Sequence, residues 1–392
     1  MEIKEENGFE KNYKHFSKKE FHIWDLHNKK LKIAVDINSV LKNKIGLKIK
    51  DNLYLIAEEF KIQPSRLFEY FIWKKSFIPL GILLKISKYL KISRYDIESN
   101  ITHYKQKGVP SLNCVQKPVL PLNISPVFTS ILANLFFDGS VPNDGKGTYY
   151  NQKDKEIMDD FINKFQVVFG NVYYSNKRDH KGVLKCRIPR IIGEICRNIY
   201  NVKSFGTFKS RIPELIFNLD NEHKVAFVIT GLIDEGSICF DGSIQFGVSN
   251  KCLIEDFQRL CTEIGLKTTK VKKHKNKDHY YIYIKSIKLL NDLYQDLTKK
   301  YPVISLRYKQ IRLEKSIIIK NKEFFYTKEF AEKRKKLVLL QLNKKENSIN
   351  ELSEKLLINP KTLNRYMFKF IDEGIVDRKK LGNNFIYFLK TH

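Results

Sequence analysis

The chain has 392 residues, 42% of them hydrophobic, which allows two to four domains with separate cores and excludes wholesale disorder. Lys and Arg number 71 against 43 Asp and Glu, a formal charge of +28. Such an excess points to a polyanion partner, because each cation set on a phosphate releases condensed counterions; a Lys-rich solvated surface is the bland alternative. The six cysteines form no C-x-x-C and lack paired histidines, which argues against structural zinc and for buried reduced thiols. Residues 1–6 lack the apolar stretch of a signal peptide, and no uncharged apolar run approaches the ~20 residues that span a bilayer. The expectation is an intracellular, cytoplasmic and nucleoid-associated protein with no membrane partner.

Residues 1–37 are charged, with scattered aromatics, and take no assigned fold. Residues 38–105 read as short helices. The first covers 52–60 with Leu53, Ile56 and Ala57 on one face; a turn at 61–64 leads to a helix opening at Ser65, and a third helix spans about 79–90. This order resembles the phage-repressor type of helix-turn-helix. The resemblance sends the helix from Ser65 and Arg66 into the major groove and puts Lys74 and Lys75 near phosphates. A small helical bundle without DNA contact is the other reading. Residues 106–125 hold Gly108, Pro110, Pro118 and Pro121 and read as a linker.

Residues 126–300 contain a repeat. An apolar helix ends at Asp138-Gly139, and another ends at Glu235-Gly236, the glycines 97 positions apart. Each is followed by a strand region (139–150 and 237–248), a helix in which Ile157 to Phe161 matches Leu253 to Phe257, two more strands (171–177 with 182–188, and 267–273 with 279–285) and a closing helix. The order is αββαββα, twice, with repeats over 126–210 and 211–300, which implies a pseudo-two-fold domain. Residues 301–326 are basic, with Arg307, Lys309, Arg312 and Lys315, and read as a connector or an extra DNA-contacting segment. In 327–392, Ser348 with Glu351 is a capping box, Asn359-Pro360 opens a second helix, and 376–389 reads as two strands turning at Gly382-Asn383. This resembles a winged helix-turn-helix, with Lys361, Asn364 and Arg365 as DNA contacts; a protein-binding winged helix is the alternative.

The acid-glycine helices, their duplication and the segment Arg211-Ile212-Pro213-Glu214 before the second one together resemble the double-motif LAGLIDADG (DOD-type) homing endonucleases. The expected fold class is therefore α+β: a duplicated LAGLIDADG core of two saddle-shaped, four-stranded antiparallel sheets, flanked by the N-terminal helix-turn-helix and the C-terminal winged helix.

The resemblance implies that the two motif helices cross with Ala133 and Thr230 at close contact, above Gly139 and Gly236. Asp138 and Glu235 then serve as metal and catalytic acids, with Mg2+ or Mn2+ as cofactor. That cation takes carboxylate, water and phosphate oxygens and activates water for phosphodiester hydrolysis. Arg187 and Lys285, paired by an offset of 98, would support the site, or be ordinary strand residues. The saddle would meet double-stranded DNA through Tyr149, Asn151 and Lys177 in one copy. In the other it would use Ser237, Cys239, Asp241, Ser243 and Gln245 with Lys267, Lys270, Lys272, Lys273, Lys275 and Lys277.

Glu in place of Asp at position 235 departs from the family pattern by one methylene, and Pro142 shortens the first strand. Asp234 would be the ligand only in another register. Three functions compete: a site-specific, divalent-metal-dependent double-strand DNA endonuclease of homing type; a non-cleaving transcription regulator derived from one; and an intron RNA splicing cofactor. Met1 at the start and Thr391-His392 at the end argue against an intein. A monomer is expected, since the motif is duplicated within the chain.

Overall fold

The computed structural model describes residues 20–27, 31–73, 77–110, 113–142, 148–174, 178–238, 243–323, 328–382 and 384–390, without the side chains of 320–328. Lys74, Lys75, Lys177, Cys239, Asp241 and Asn383 lie outside them. The architecture mixes helices with several small antiparallel sheets. Among the described residues no helix is long and apolar enough to cross a membrane. The chain falls into two compact units divided between Thr230 and Gly231, inside one helix.

The first unit begins with a sheet whose order is Ile78–Pro79, Ile33–Ile37, Ile101–Gln106, Val115–Gln116, all antiparallel. Residues 33–37, left unassigned from sequence, thus form an inner strand, with Ile33, Val35 and Ile37 buried. Helix Leu53–Glu59 turns into Pro64–Leu67, which continues as a π-helical turn, Phe68–Ile72. Leu53, Ile56 and Ala57 are buried as the periodicity requires. The second helix does not open on a Ser65 cap. Gln63 stands at the cap position without a side-chain bond, and Pro64, with φ preset, takes the first helical place. The joint is a left-handed Lys61 (φ 53°), with Ile62 N–H bonded to Ala57 O at 2.9 Å. The same joint recurs between Leu80–Tyr89 and Arg94–Ser99: Lys91 has φ 55° and Ile92 N–H bonds Ser87 O at 2.8 Å.

Residues 106–125 are not a free linker. Gln116 and Asn171 exchange both backbone hydrogen bonds, at 2.9 and 2.7 Å, and Val119 N–H bonds Phe169 O at 3.2 Å. Asn113 Oδ1 accepts from Arg190 N–H at 3.2 Å. The breakers shape a path along the next subdomain, where buried main-chain groups need partners.

That subdomain opens with the first motif helix, Pro126–Phe137, capped by Ser125 and buried from Pro126 through Phe136. A helix apolar on all sides belongs inside a core. Strands Gly139–Ser140, Thr148–Gln152 and Leu184–Ile188 form a three-stranded antiparallel sheet, and helices Lys155–Val168 and Arg190–Tyr200 complete the repeat. Of the expected fourth strand, Asn171 pairs with Gln116 and Arg178 bridges Leu184, while residues 175–177 lie outside the described residues.

In the second unit the sheet has four strands, ordered Gly236–Ile238, Ile244–Val248, Tyr280–Ile284, Lys272–Lys273, with helices Lys251–Glu263 and Ile287–Lys300. The repeats share a stacked ring pair between sheet and helix: Tyr150 on Phe161 with centroids 4.2 Å apart, and Phe246 on Phe257 at 3.7 Å. Such a pair adds roughly 0.5–1.5 kcal/mol beyond the area it buries.

The basic 301–326 segment is largely helix Tyr308–Glu323. Ile304, Leu306, Leu313 and Ile319 are buried, and so is Lys309, which therefore is not a DNA contact. The chain ends in helices Lys328–Lys344, Ile349–Leu356 and Pro360–Asp372 followed by the hairpin Val376–Leu381 and Asn384–Leu389. Val338, Leu352, Leu363, Met367, Phe370 and Val376 form its core. The Ser348–Glu351 capping box and the Asn359 cap are both made.

Candidate active site and nucleic-acid interface

The two motif helices touch through side chains that lie within the first unit. Ser130 Oγ and Thr230 Oγ1 are 2.7 Å apart, Thr129 Oγ1 and His223 Nδ1 2.7 Å, and the Phe137 and Phe227 rings meet edge-on at 5.7 Å. Ala133 and Thr230 are both buried, but the polar partner of Thr230 is Ser130. Lys164, buried, donates to Ser130 Oγ and Asn134 Oδ1, and Thr230 donates back to Ala226 O. A directed chain runs Lys164 to Ser130 to Thr230 to Ala226 across the helix pair, so the buried polar groups are satisfied.

Each motif helix stops because the chain folds sharply back at glycine. A Cβ on Gly139 would lie 2.4 Å from Leu135 Cα, and one on Gly236 2.5 Å from Leu232 O. Only glycine tolerates that approach. The strand registers place Gly139 opposite Tyr150 and Gly236 opposite Phe246. Asp138 and Glu235 therefore occupy equivalent places, and Asp234 is the last helical residue.

The two acids have different surroundings. Asp138 is half-buried; Gln152 Nε2 donates to its Oδ2 at 3.2 Å, and Asn151 donates to its carbonyl through N–H (3.1 Å) and Nδ2 (3.3 Å). Glu235 reaches solvent, yet protein crowds its base. Burial, with Asp234 adding and Lys309 opposing, pushes its carboxyl up to about 7. Lys309 Nζ donates to Leu232 O (2.8 Å), Ile233 O (2.6 Å) and Gly236 O (2.6 Å).

Beside each acid lies an outward strand face. In the first repeat, Ser140, Tyr149 and Arg187 stand in one row and Asn151 and Lys185 in the next, while Tyr150 and Cys186 are buried beneath. In the second, Ser237, Gln245 and Tyr283 form the matching row, followed by Tyr281 and Lys272. Arg187 thus corresponds to Tyr283, at an offset of 96, and not to Lys285. Ile188 and Ile284 are the next equivalent pair, so Lys285 matches Pro189. Lys285 is exposed, past the strand end. Lys273 registers with Tyr280, on the opposite parity from Lys272, and is paired with Asp278 at 2.8 Å; Lys270 is exposed.

In the N-terminal helices Ser65 and Arg66 are exposed, Arg66 paired with Glu69 at 2.8 Å. In the C-terminal helix Pro360–Asp372, Lys361 and Arg365 are exposed and Asn364 is half-buried. Asn364 lines a pocket of about 260 Å³ with Ser348, Pro360 and Tyr387.

Gln152, Tyr281 and Tyr283 are not among the residues expected from sequence, and Lys309 is expected there only as part of a basic connector or DNA-contacting segment. The two tyrosines were readable, since Ile282 and Ile284 point inward and alternation sends their neighbours out. Nothing local in the sequence announces Gln152 or Lys309 as neighbours of an acid.

No protein-family model and no curated protein matches this chain. Solved structures do. The homing endonuclease I-DmoI (mesophilic variants) matches with 13% identity and a TM-score of 0.30 over 46% of this chain and 98% of that one. I-DmoI in complex with DNA and calcium matches with 14% identity and 0.32 over 48% and 97%. Full-length DUF199/WhiA from Thermatoga maritima matches with 13% identity and 0.32 over 68% and 93%. Chains of LAGLIDADG type are what it is similar to, at low identity and low TM-score.

Proposed function

We propose that this chain is a DNA-binding protein of double-motif LAGLIDADG build that cuts double-stranded DNA site-specifically with a divalent cation. The observation that carries this reading is the equivalence of Asp138 and Glu235: each carboxylate follows a motif helix, precedes the glycine where the chain folds back, and borders an outward strand face.

The donor chemistry fits magnesium or manganese. Both acids offer hard oxygen, and such cations are held by one or two carboxylates together with phosphate and water. Among the described residues no cluster of three or more His, Cys, Asp or Glu is present. When bound, the cation lowers the pKa of its water and polarises the phosphoryl oxygen. Gln152 orients the Asp138 carboxylate. Tyr149, Arg187, Lys185, Gln245 and Lys272 face the duplex, the cations toward phosphates and the neutral groups toward base edges. The N-terminal helix from Pro64, as a helix-turn-helix, and the C-terminal helix from Pro360 with its hairpin, as a winged helix, lengthen the footprint and add affinity through linkage.

One observation favours a second reading, a regulator that binds without cutting. A carboxyl raised to about 7 is half protonated at neutral pH and a weaker ligand than an ordinary glutamate. One assay separates the two. Purified protein is incubated with a pool of long DNA targets and magnesium, beside Asp138→Asn and Glu235→Gln. Magnesium-dependent breaks lost in both variants support the nuclease. Tight binding without breaks, unchanged by either substitution, supports the regulator.

A further inference from the structure

We infer that Lys309, from the helix that follows the second repeat, is the positioning residue of the second acid, fastening the main chain on either side of Glu235 as Asn151 fastens the carbonyl of Asp138. The inference rests on the nuclease reading for its catalytic sense and on geometry for the fastening itself.

In the first repeat the foot of the motif helix is tied by strand residues: Asn151 bonds the Asp138 carbonyl and Gln152 its carboxylate. The register equates these two positions with Gly247 and Val248. Neither side chain can donate a hydrogen bond, so the side-chain part of that fastening has no counterpart at the second foot. At Gly247 a Cβ would come within 2.5 Å of His279 Nε2, so a larger residue there requires the imidazole to move.

Lys309 fills the gap from elsewhere in the chain. Its Nζ bonds two carbonyls before Glu235, Leu232 and Ile233, and one after it, Gly236. Those bonds bracket the acid and pin the helix end to the strand start. The last helix carbonyls need donors, and a cation at a helix C-terminus also meets the negative end of the dipole. An ammonium has three protons, and three carbonyls are bonded. Glu235 N–H makes the last helical bond, to Gly231 O at 2.9 Å. With the main chain held on both sides, the carboxylate of Glu235 has only its own rotamers to explore. A site that tolerates about 0.5 Å of error requires such support.

The test uses the full chain with Lys309→Met, which keeps the stem and removes the donors, and Lys309→Arg, which keeps donors and charge. Hydrogen exchange is read without metal or DNA. Lys309→Met should speed exchange at Gly236 and Ser237 at least tenfold and leave Gly139 and Ser140 unchanged. Unchanged protection at Gly236 overturns the fastening. Cleavage is then read at saturating DNA beside DNA affinity. The rate should fall at least tenfold with affinity within twofold, and Lys309→Arg should recover part of it. Rate and affinity falling together, or an unaltered rate, overturns the positioning role. A wild-type chain that cuts nothing sinks the nuclease reading, and the fastening then stands or falls on the exchange data.

Discussion

Ser130 Oγ lies 2.7 Å from Thr230 Oγ1, one hydroxyl on each motif helix, and Lys164 and the Ala226 carbonyl extend that bond in both directions. Two helices packed largely by Phe and aliphatic side chains are thus joined by this polar line, beside the separate Thr129–His223 bond. Its loss should be felt in stability. Thr230→Val keeps the shape and removes the hydroxyl, so Ser130 loses its acceptor at a cost of roughly 1–3 kcal/mol. Urea melts of Thr230→Val, Ser130→Ala and the double variant measure it. Strictly additive single effects would show that the two hydroxyls do not act together.

Glu235 should make stability depend on pH. Burial lifts its carboxyl from the ordinary 4.5 to about 7, so the folded chain holds a proton that the unfolded chain releases. Its contribution is complete below about pH 4.5 and fades as pH rises through about 7. Glu235→Gln stays neutral throughout. In EDTA, the Tm of this variant relative to wild type should climb between pH 5 and pH 8.5. A difference that stays flat over that window removes the raised carboxyl.

The strand register separates Arg187 from Tyr283, although they occupy equivalent places. Arg187→Ala should weaken DNA binding and reduce the slope of log affinity against log salt by about 1, since one phosphate contact is lost. Tyr283→Ala should weaken binding while leaving that slope alone. Fluorescence anisotropy from low to moderate salt reads both. Equal slope changes would contradict a charge role held, at this pair of equivalent positions, by Arg187 alone.

The thiols should sort by burial. Cys252 is exposed, whereas Cys114, Cys186, Cys196 and Cys261 are buried. Burial pushes Cys186 up to about 12 and Cys196 and Cys261 further still, so little thiolate exists to react. Among these five, iodoacetamide at pH 8 followed by peptide mapping should mark Cys252 first and reach Cys114, Cys186, Cys196 and Cys261 only in denaturant. Early labelling of Cys196 or Cys261 would mean that the core around the closing helix or the second repeat opens readily.

Much of the architecture was legible because it rests on local patterns. The acid-glycine helix ends, the alternation of Ile244, Phe246 and Val248, the Ser348–Glu351 box and the Asn359 cap each involve residues a few places apart. The structure forms all of them. Proline and glycine between 106 and 125 misled, since they mark an irregular path and do not say whether that path is bonded. The pairing of Arg187 with Lys285 failed by two residues, because hydrogen-bond register, not spacing in the chain, decides which side chains are equivalent.

By itself the sequence determined the two apolar helices that end at acid-glycine, the glycines that let each helix end fold back and the cationic surplus, since these depend on residue type and short-range order. Only the tertiary structure decided what surrounds each acid. Gln152 reaches Asp138 across a strand pair, and Lys309 returns from 73 residues beyond Gly236 to hold its carbonyl. The physical reason is that a buried carbonyl or carboxylate takes whichever donor the packing brings near, and chain separation does not limit that choice.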